Sequence, residues 1–475
     1  MDPILIILIS TAVVLLCIIK LKLHPVISLL LAGLVTALLT SNEHILAFAD
    51  LKGLSEADTN ELINMTLGKR IANAFGNTSA KVGILIALAS IIGTSLMKSG
   101  GAEKIIRSIL KLAGKKGTSL AMLSGSFVLA IPVFFDTVFY LMIPLVKSIG
   151  IKKNKQFGLL LMSVIAGGVM AHSLIPPTPG PLFVAEEMGI DLGAMIIGGI
   201  VVGAITVIAG YFYAVWANKR WPLQVRDTED ITVAELEEIT VKSDKELPGL
   251  FISLIPIFLP LLLITGNTIT SMEVKSGDAS SLTNQLNDIF KTIGDPNIAL
   301  LISALVSMWI LWSQLTDKSK FKKNISEALQ SAGVIVLITS AGGVFGQMMQ
   351  QTGIGVRIGE LASNYQMAVL PFAFIITAAV RSAQGSATVA MITAIGVLSG
   401  LANAELAFHP VYLALAIGCG SKIFAWMNDS AFWIITKMVG LEVKETVRYF
   451  SYLLMVMAIA GLIAIMILSQ IFPFV

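Results

Sequence analysis

Apolar runs separated by short polar intervals fill most of the chain, and their lengths fall into two classes. Runs at about 3–19, 25–41, 81–98, 193–217, 249–267, 297–314, 330–351 and 447–472 approach the ~20 residues that carry a helix across a bilayer. They predict eight simple transmembrane helices. Four further stretches, about 119–147, 158–189, 367–402 and 409–438, are long for one crossing and short of the ~40 residues that two crossings and a turn require. Each is interrupted near its middle by helix breakers or polar residues, so each is predicted as a re-entrant hairpin or a broken helix.

Loop charge separates these options. Lys98, Lys104, Arg107, Lys111, Lys115 and Lys116 precede residue 119, and Lys147, Lys152, Lys153 and Lys155 follow the same stretch. Basic loops stay cytoplasmic, so 119–147 is expected to enter and leave on one side, with its tip at Phe134-Phe135-Asp136-Thr137. The stretch 158–189 runs instead to the acidic Glu186-Glu187-Asp191 segment and is expected to cross, with a break at His172-Ser173-Leu174-Ile175-Pro176-Pro177-Thr178-Pro179-Gly180. Counting on, Lys219-Arg220, the cluster Lys318, Lys320, Lys322 and Lys323, and Lys437 with Lys444 fall inside, and both termini fall outside.

The two halves resemble each other at an offset of about 250 residues. Gly83, Ser90 and Gly93 match Gly333, Ser340 and Gly343; Asp136 falls opposite Ser386, and Thr178-Pro179 opposite Asn428-Asp429. The expected organisation is an N-terminal half over 1–217 holding a first repeat at about 81–217, a cytoplasmic linker at 218–248, and a C-terminal half over 249–475 holding a second repeat at about 330–475. The fold class is therefore an all-α polytopic membrane protein with two inverted repeats, each carrying a re-entrant hairpin and a broken transmembrane helix. Residues 42–80 and 268–296 are expected to be extracytoplasmic connectors with short helices.

Composition agrees with residence in lipid, since 13% of the 475 residues are charged and 55% apolar. A net charge of +3 spread along the chain gives no footing for nucleic acid. Cys17 and Cys419 lie far apart in apolar runs, which suggests neither a metal site nor a disulfide; no cofactor is expected. The N-terminus enters apolar residues directly after Met1-Asp2-Pro3, without a basic leader, so the first run is expected to be a retained span. There is no GxxxxGK[ST] loop for an ATP-driven pump, and no GxSxG elbow or HExxH pair for an enzyme. What remains is a carrier of a small organic anion, with an anion channel as the alternative from another class.

Candidate chemistry concentrates in the four interruptions, where lipid would penalise polar groups unless they are used. The first hairpin supplies Asp136 and Thr137, and the first break His172, Ser173 and Thr178. Arg381-Ser382-Ala383-Gln384-Gly385-Ser386-Ala387-Thr388 forms the second hairpin, and the second break supplies Asn428, Asp429 and Ser430. Asp136 reads as a coupling-ion or substrate group, or as a helix-capping carboxylate. His172 reads as a proton or substrate contact, or as an interhelical hydrogen bond. Arg381 reads as a bidentate partner for a substrate carboxylate, or as the ion-pair partner of Asp136 or Asp429. Asp429 likewise reads as a coupling group or as the cap of its half-helix.

The strings Ala171-His172-Ser173-Leu174-Ile175-Pro176-Pro177-Thr178-Pro179-Gly180-Pro181, Gln384-Gly385-Ser386-Ala387-Thr388-Val389-Ala390 and Asn428-Asp429-Ser430 resemble the signatures of the gluconate permease (GntP) family of proton symporters. The similarity runs over nearly the whole chain. It implies uptake of gluconate, a related sugar acid, a hydroxy acid or D-serine, together with protons, across a bacterial inner membrane. It also implies membership of the ion transporter superfamily, whose members are commonly dimers with a scaffold and a moving transport domain, so a homodimer is expected. The residues carried over as substrate-binding are Thr137, His172, Ser173, Thr178, Gly180, Arg381, Gln384, Ser386, Thr388, Asn428 and Ser430, with Asp136 and Asp429 as proton-coupling groups. Relatives usually carry glutamate in the first hairpin and histidine between the prolines, where this chain has Asp136 and Thr178. Arg381 before Ser382-Ala383-Gln384-Gly385-Ser386 resembles the sugar-acid members more than the D-serine type.

Overall fold

The computed structural model describes residues 1–114, 117–152, 156–226, 246–276, 280–353, 368–398, 406–423, 425–427 and 429–473, and among them every regular element is helical. Lys115, Lys116, Lys153, Lys155 and Asn428, together with most of the 218–248 linker, lie outside the described residues.

The first half contains α1 (Pro3–Leu15), α2 (Pro25–Leu39), α3 (Asn42–Lys52), α4 (Glu56–Asn64), α5 (Leu67–Lys98), α6 (Gly101–Ala113), α7 (Thr118–Leu129), α8 (Phe135–Lys152), α9 (Phe157–Leu174), α10 (Pro179–Glu187) and α11 (Leu192–Arg220). The second contains α12 (Leu250–Ser276), α13 (Ser281–Ile293), α14 (Pro296–Gln314), α15 (Ser319–Gln350), α16 (Val369–Gln384), α17 (Ala387–Leu398), α18 (Val411–Gly420), α19 (Ser430–Val439) and α20 (Val443–Thr446). A π turn at Val447–Ser451 leads from α20 into α21 (Tyr452–Ile471). Seven helices among the described residues are long and apolar enough to cross a membrane, or eight if α2 and α3, bent by 101°, form one span. The chain is a polytopic membrane protein.

Several expected boundaries move. The run at 3–19 is shorter than a span: its α-helical geometry ends at Leu15, where a π turn, Leu16–Lys20, takes over. The span expected at 81–98 is the end of α5, a helix of 32 residues that takes in polar positions assigned above to a connector. Thr66 caps it, accepting the Lys69 N–H at 3.4 Å. Along its first turns Arg70, Ala74, Thr78 and Val82 are buried at helical spacing, while Lys69, Asn73, Asn77 and Lys81 on the other faces depress the running hydropathy. α15 similarly starts at Ser319 and absorbs Lys320, Lys322 and Lys323, expected in a loop. Lys147, counted above among the loop cations, is fully buried in α8.

All four interrupted stretches are broken. The breaks fall at 130–134 between α7 and α8, at 175–178 between α9 and α10, at Gly385-Ser386 between α16 and α17, and between Gly420 and Ser430. The first lies slightly earlier than expected, so Phe135, Asp136 and Thr137 form the opening turn of α8 instead of the tip.

At the centre of the bundle α5 and α15 pack as a long antiparallel pair. Ser79 and Ser340 share a hydroxyl hydrogen bond of 2.6 Å, Ser90 donates to the Ala328 carbonyl at 2.7 Å, and the Arg70 guanidinium donates to Gln351. Gly343 lets the two backbones meet, because a Cβ there would lie 1.9 Å from Thr78 Oγ1. α2 packs on α15 and α14 on α5; α7 and α11 pack on α9, as α16 and α21 do on α18. Every residue of α18 is buried, and so is every residue of α9 except Leu159 and His172. Phe212, Phe251, Leu262 and Trp309 point outward, as lipid-facing side chains do.

Candidate functional site

Local chemistry accounts for the breaks that follow α9, α16 and α18. Ile175 and Thr178 both precede a proline and both are extended, since the proline ring clashes with a helical residue before it. Pro176, Pro177 and Pro179 supply no N–H to continue the α9 ladder, and Pro179 then starts α10 as its first residue. The Pro176–Pro177 bond is cis. The α16–α17 break rests on Gly385, at φ +88°, whose N–H closes α16 on the Arg381 carbonyl at 3.0 Å. Beyond α18 the chain turns through Ser421 and Lys422, and Asp429 caps α19 by accepting the Ala431 N–H at 2.8 Å.

Around the breaks lies a cavity of about 300 Å³. Parts of the N-terminal turns of all four second half-helices border it: Phe135 and Asp136 of α8, Pro179 of α10, Ala387, Thr388 and Val389 of α17, and Ser430 and Ala431 of α19. Unpaired N–H groups and the helix dipole give each such end a partial positive charge. Phe134, Val169, Ile335, Ile338, Phe450 and Leu454 supply apolar wall. The ionisable lining is Asp136, His172, Arg381, Lys422 and Asp429.

Arg381 and Asp429 form a buried ion pair through Nη2 and Oδ2, with side chains 3% and 7% exposed. Asp429 thus caps α19 with one oxygen, one of the readings given for it, and holds Arg381 with the other, one of the readings given for Arg381. Arg381 Nε and Nη1 are buried and have no hydrogen-bond partner among the described residues. His172 Nδ1 is likewise unpartnered, and its ring meets Phe134 edge-on with centroids 5.7 Å apart.

The cavity therefore gathers Asp136, His172, Arg381, Ser386, Thr388, Asp429 and Ser430 from the sequence-derived set. Thr137 instead lines a separate cavity of about 200 Å³ with Ser90, Gly93, Glu327 and Ser331. Ser173 is buried away from the main cavity, where its carbonyl abuts Gly418 of α18. Thr178 donates its hydroxyl to the Ile175 carbonyl at 2.6 Å, which secures the break. Gly180 gives α10 close access to α17, since a Cβ would sit 2.8 Å from Met391 Sδ. Asn428 and the Gln384 side chain lie outside what is described. Lys422 was not singled out from the sequence. It is 4% exposed and lines the cavity, and the available signal was a lysine near the middle of the apolar stretch 409–438. No group of three or more His, Cys, Asp or Glu able to hold a metal ion occurs among the described residues.

Residues 2–471 match a family model described as GntP family permease. Among curated relatives, an uncharacterized permease of Haemophilus influenzae is 34% identical, covering 90% of this chain and 88% of its own length. The inner membrane permease YgbN of Escherichia coli is 31% identical, covering 94% of both chains. A gluconate permease of Pseudomonas aeruginosa is 30% identical, covering 84% of this chain and 87% of its own.

Proposed function

Because the chain belongs to the GntP permease family, we propose that it is a secondary transporter for proton-coupled uptake of gluconate or a related sugar acid or hydroxy acid across the inner membrane. The observation that carries this reading is the cavity in which Arg381, Lys422, Asp136 and Asp429 meet four half-helix N-termini. Partial positive charge from those ends favours a bound carboxylate. Ser386, Thr388, Ser430 and the unpartnered His172 Nδ1 offer donors and acceptors for the hydroxyl groups of a polyol acid.

Coupling follows from charge balance. The cavity is lined by two cations and two carboxylates with a histidine beside them, and a substrate carboxylate adds one uncompensated negative charge. A proton taken up by Asp136, which stands outside the Arg381–Asp429 pair, restores the balance in a medium that penalises net charge. Asp136 is accordingly the coupling group, and Asp429 is the fixed partner of Arg381.

The architecture we propose is two inverted repeats, α5 to α11 and α15 to α21, each with a re-entrant hairpin and a broken helix. Supporting it, α5, α7, α8, α9 and α10 begin about 250 residues before α15, α16, α17, α18 and α19. Contacts also exchange in pairs: α7 on α9 with α16 on α18, and α8 on α19 with α17 on α10. Within the antiparallel α5–α15 pair, Ser90 bonds to α15 and its counterpart Ser340 bonds to α5. The halves 1–217 and 249–475 joined by a cytoplasmic linker, extracytoplasmic termini and a homodimer complete the reading.

The test is uptake of labelled gluconate by purified protein in proteoliposomes with an imposed pH gradient. Saturable accumulation that collapses with a protonophore is the expected result. Uptake indifferent to the gradient would remove proton coupling, and absence of saturable uptake would remove the gluconate reading.

A further inference from the structure

Lys422 is the cation in this site that the sequence motifs do not account for. It follows α18 in a tight turn, with its N–H donating to the Cys419 carbonyl at 3.0 Å. The residue is 4% exposed and borders the cavity. No hydrogen bond or ion pair reaches its ammonium among the described residues. Within electrostatic range stand Arg381, Asp429, Asp136 and Cys419, and His172 lies within range from α9. Of the two carboxylates, Asp429 is committed to Arg381 and to the Ala431 N–H. Asp136 is not tied to either cation by an ion pair. An ammonium held in a membrane interior without an ion-paired anion is penalised, so a site that leaves one unpaired is suited to an anion that arrives and leaves.

We propose that Lys422 is the anchor for the substrate carboxylate and that it sets the preference of the site for monocarboxylates. This deepens the carboxylate-transport reading above and rests on it. Arg381 is then a positioning residue: its pairing with Asp429 sets α16 against the cap of α19, and its unpartnered Nε and Nη1 favour oxygen acceptors near the anchor. Ser386, Thr388 and Ser430 serve the hydroxyl groups. A second carboxylate on the substrate would find its only other cationic neighbour among the described cavity residues, Arg381, already neutralised. The anchor also links substrate to proton, because a carboxylate bound at Lys422 removes the compensation Asp136 would otherwise share, and Asp136 then takes the proton from solution.

The experiment uses the full chain in proteoliposomes, with labelled gluconate and glycerate as probes and unlabelled glucarate and sorbitol as competitors. Lys422→Gln is expected to raise the half-saturating gluconate concentration by about thirty-fold or more, the scale for loss of one partner of a buried charged pair. Lys422→Arg should recover most of that loss. In Lys422→Cys, aminoethyl methanethiosulfonate, which restores a positive charge, should rescue uptake, whereas the sulfonatoethyl reagent should not. Neither glucarate nor sorbitol should compete with gluconate in the parent. Unchanged affinity in Lys422→Gln, or a folded Lys422→Cys whose impaired uptake the aminoethyl reagent leaves untouched, overturns the proposal. If Lys422→Gln does not fold, the cysteine variant before and after modification decides. Glucarate competing as well as gluconate overturns the monocarboxylate preference. Failure of the parent itself to take up either labelled acid overturns the transport reading beneath, a result distinct from all of these.

Discussion

Replacing Asp429 with asparagine isolates the charge of the Arg381–Asp429 pair. Asparagine matches aspartate in size and keeps an oxygen that can accept the Ala431 N–H, now at 2.8 Å, so the cap of α19 survives. What is lost is the compensation of a guanidinium whose side chain is 3% exposed and which already leaves Nε and Nη1 unpartnered. Breaking a buried ion pair from one side costs about 3–5 kcal/mol. The same chain holds an internal standard in Arg226 and Glu445, joined by hydrogen bonds of 2.7 and 2.8 Å with side chains 42% and 20% exposed. Solvent screens that pair, and Glu445→Gln should cost about 1 kcal/mol or less. Equilibrium unfolding in a single detergent, for Asp429→Asn, Arg381→Gln, their combination and Glu445→Gln, measures all four. The expected pattern is a severe loss in each of the first two, with the double variant well short of their sum because it carries no lone charge. Strict additivity, or an Asp429→Asn cost no larger than that of Glu445→Gln, would refute the reasoning.

Other variants probe coupling, topology and packing. Asp136→Asn fixes a neutral side chain at the proposed proton site, so accumulation against a gradient should vanish while exchange of internal for external gluconate continues; pH-dependent accumulation in this variant would move the coupling role elsewhere. Cysteines at Leu112 and Gln156, both exposed at the two ends of the 119–147 stretch, should resist an impermeant thiol reagent applied outside, and labelling of only one would mean that this stretch crosses the bilayer. Gly342→Ala drives a Cβ to 1.8 Å from Ile392 Cγ2, at the contact between α15 and α17. It should lower stability by about 1–3 kcal/mol. Ile392→Ala in the same chain should restore most of it, and no recovery would place the clash elsewhere.

What the sequence determined is what short-range physics controls. Runs of apolar residues demanded helices in lipid, and Pro176, Pro177, Pro179 and Gly385 stopped those helices where they stand, because ring geometry and a left-handed backbone act on the next residue or two whatever surrounds them. The interruptions and their polar content were both legible in this way. Averaging along the chain, however, hid the first turns of α5, since Arg70 and Thr78 are buried on one face while lysine and asparagine occupy the others. Only the packing against α15 identifies that face.

Tertiary structure decided which polar groups share a site. Successive helical residues point about 100° apart, so Asp136 borders the main cavity while Thr137 turns to another, and His172 borders it while Ser173 lies buried elsewhere. Such divergence is invisible to a motif read as a string. Arg381 had two carboxylates open to it, and the meeting of α16 with the cap of α19 selected Asp429. Lys422 acquired meaning only when the turn after α18 brought it to the same cavity as Asp136, residues that the sequence separates by most of the chain. A charge in low dielectric is defined by what lies within a few ångströms, and that neighbourhood is assembled from distant segments.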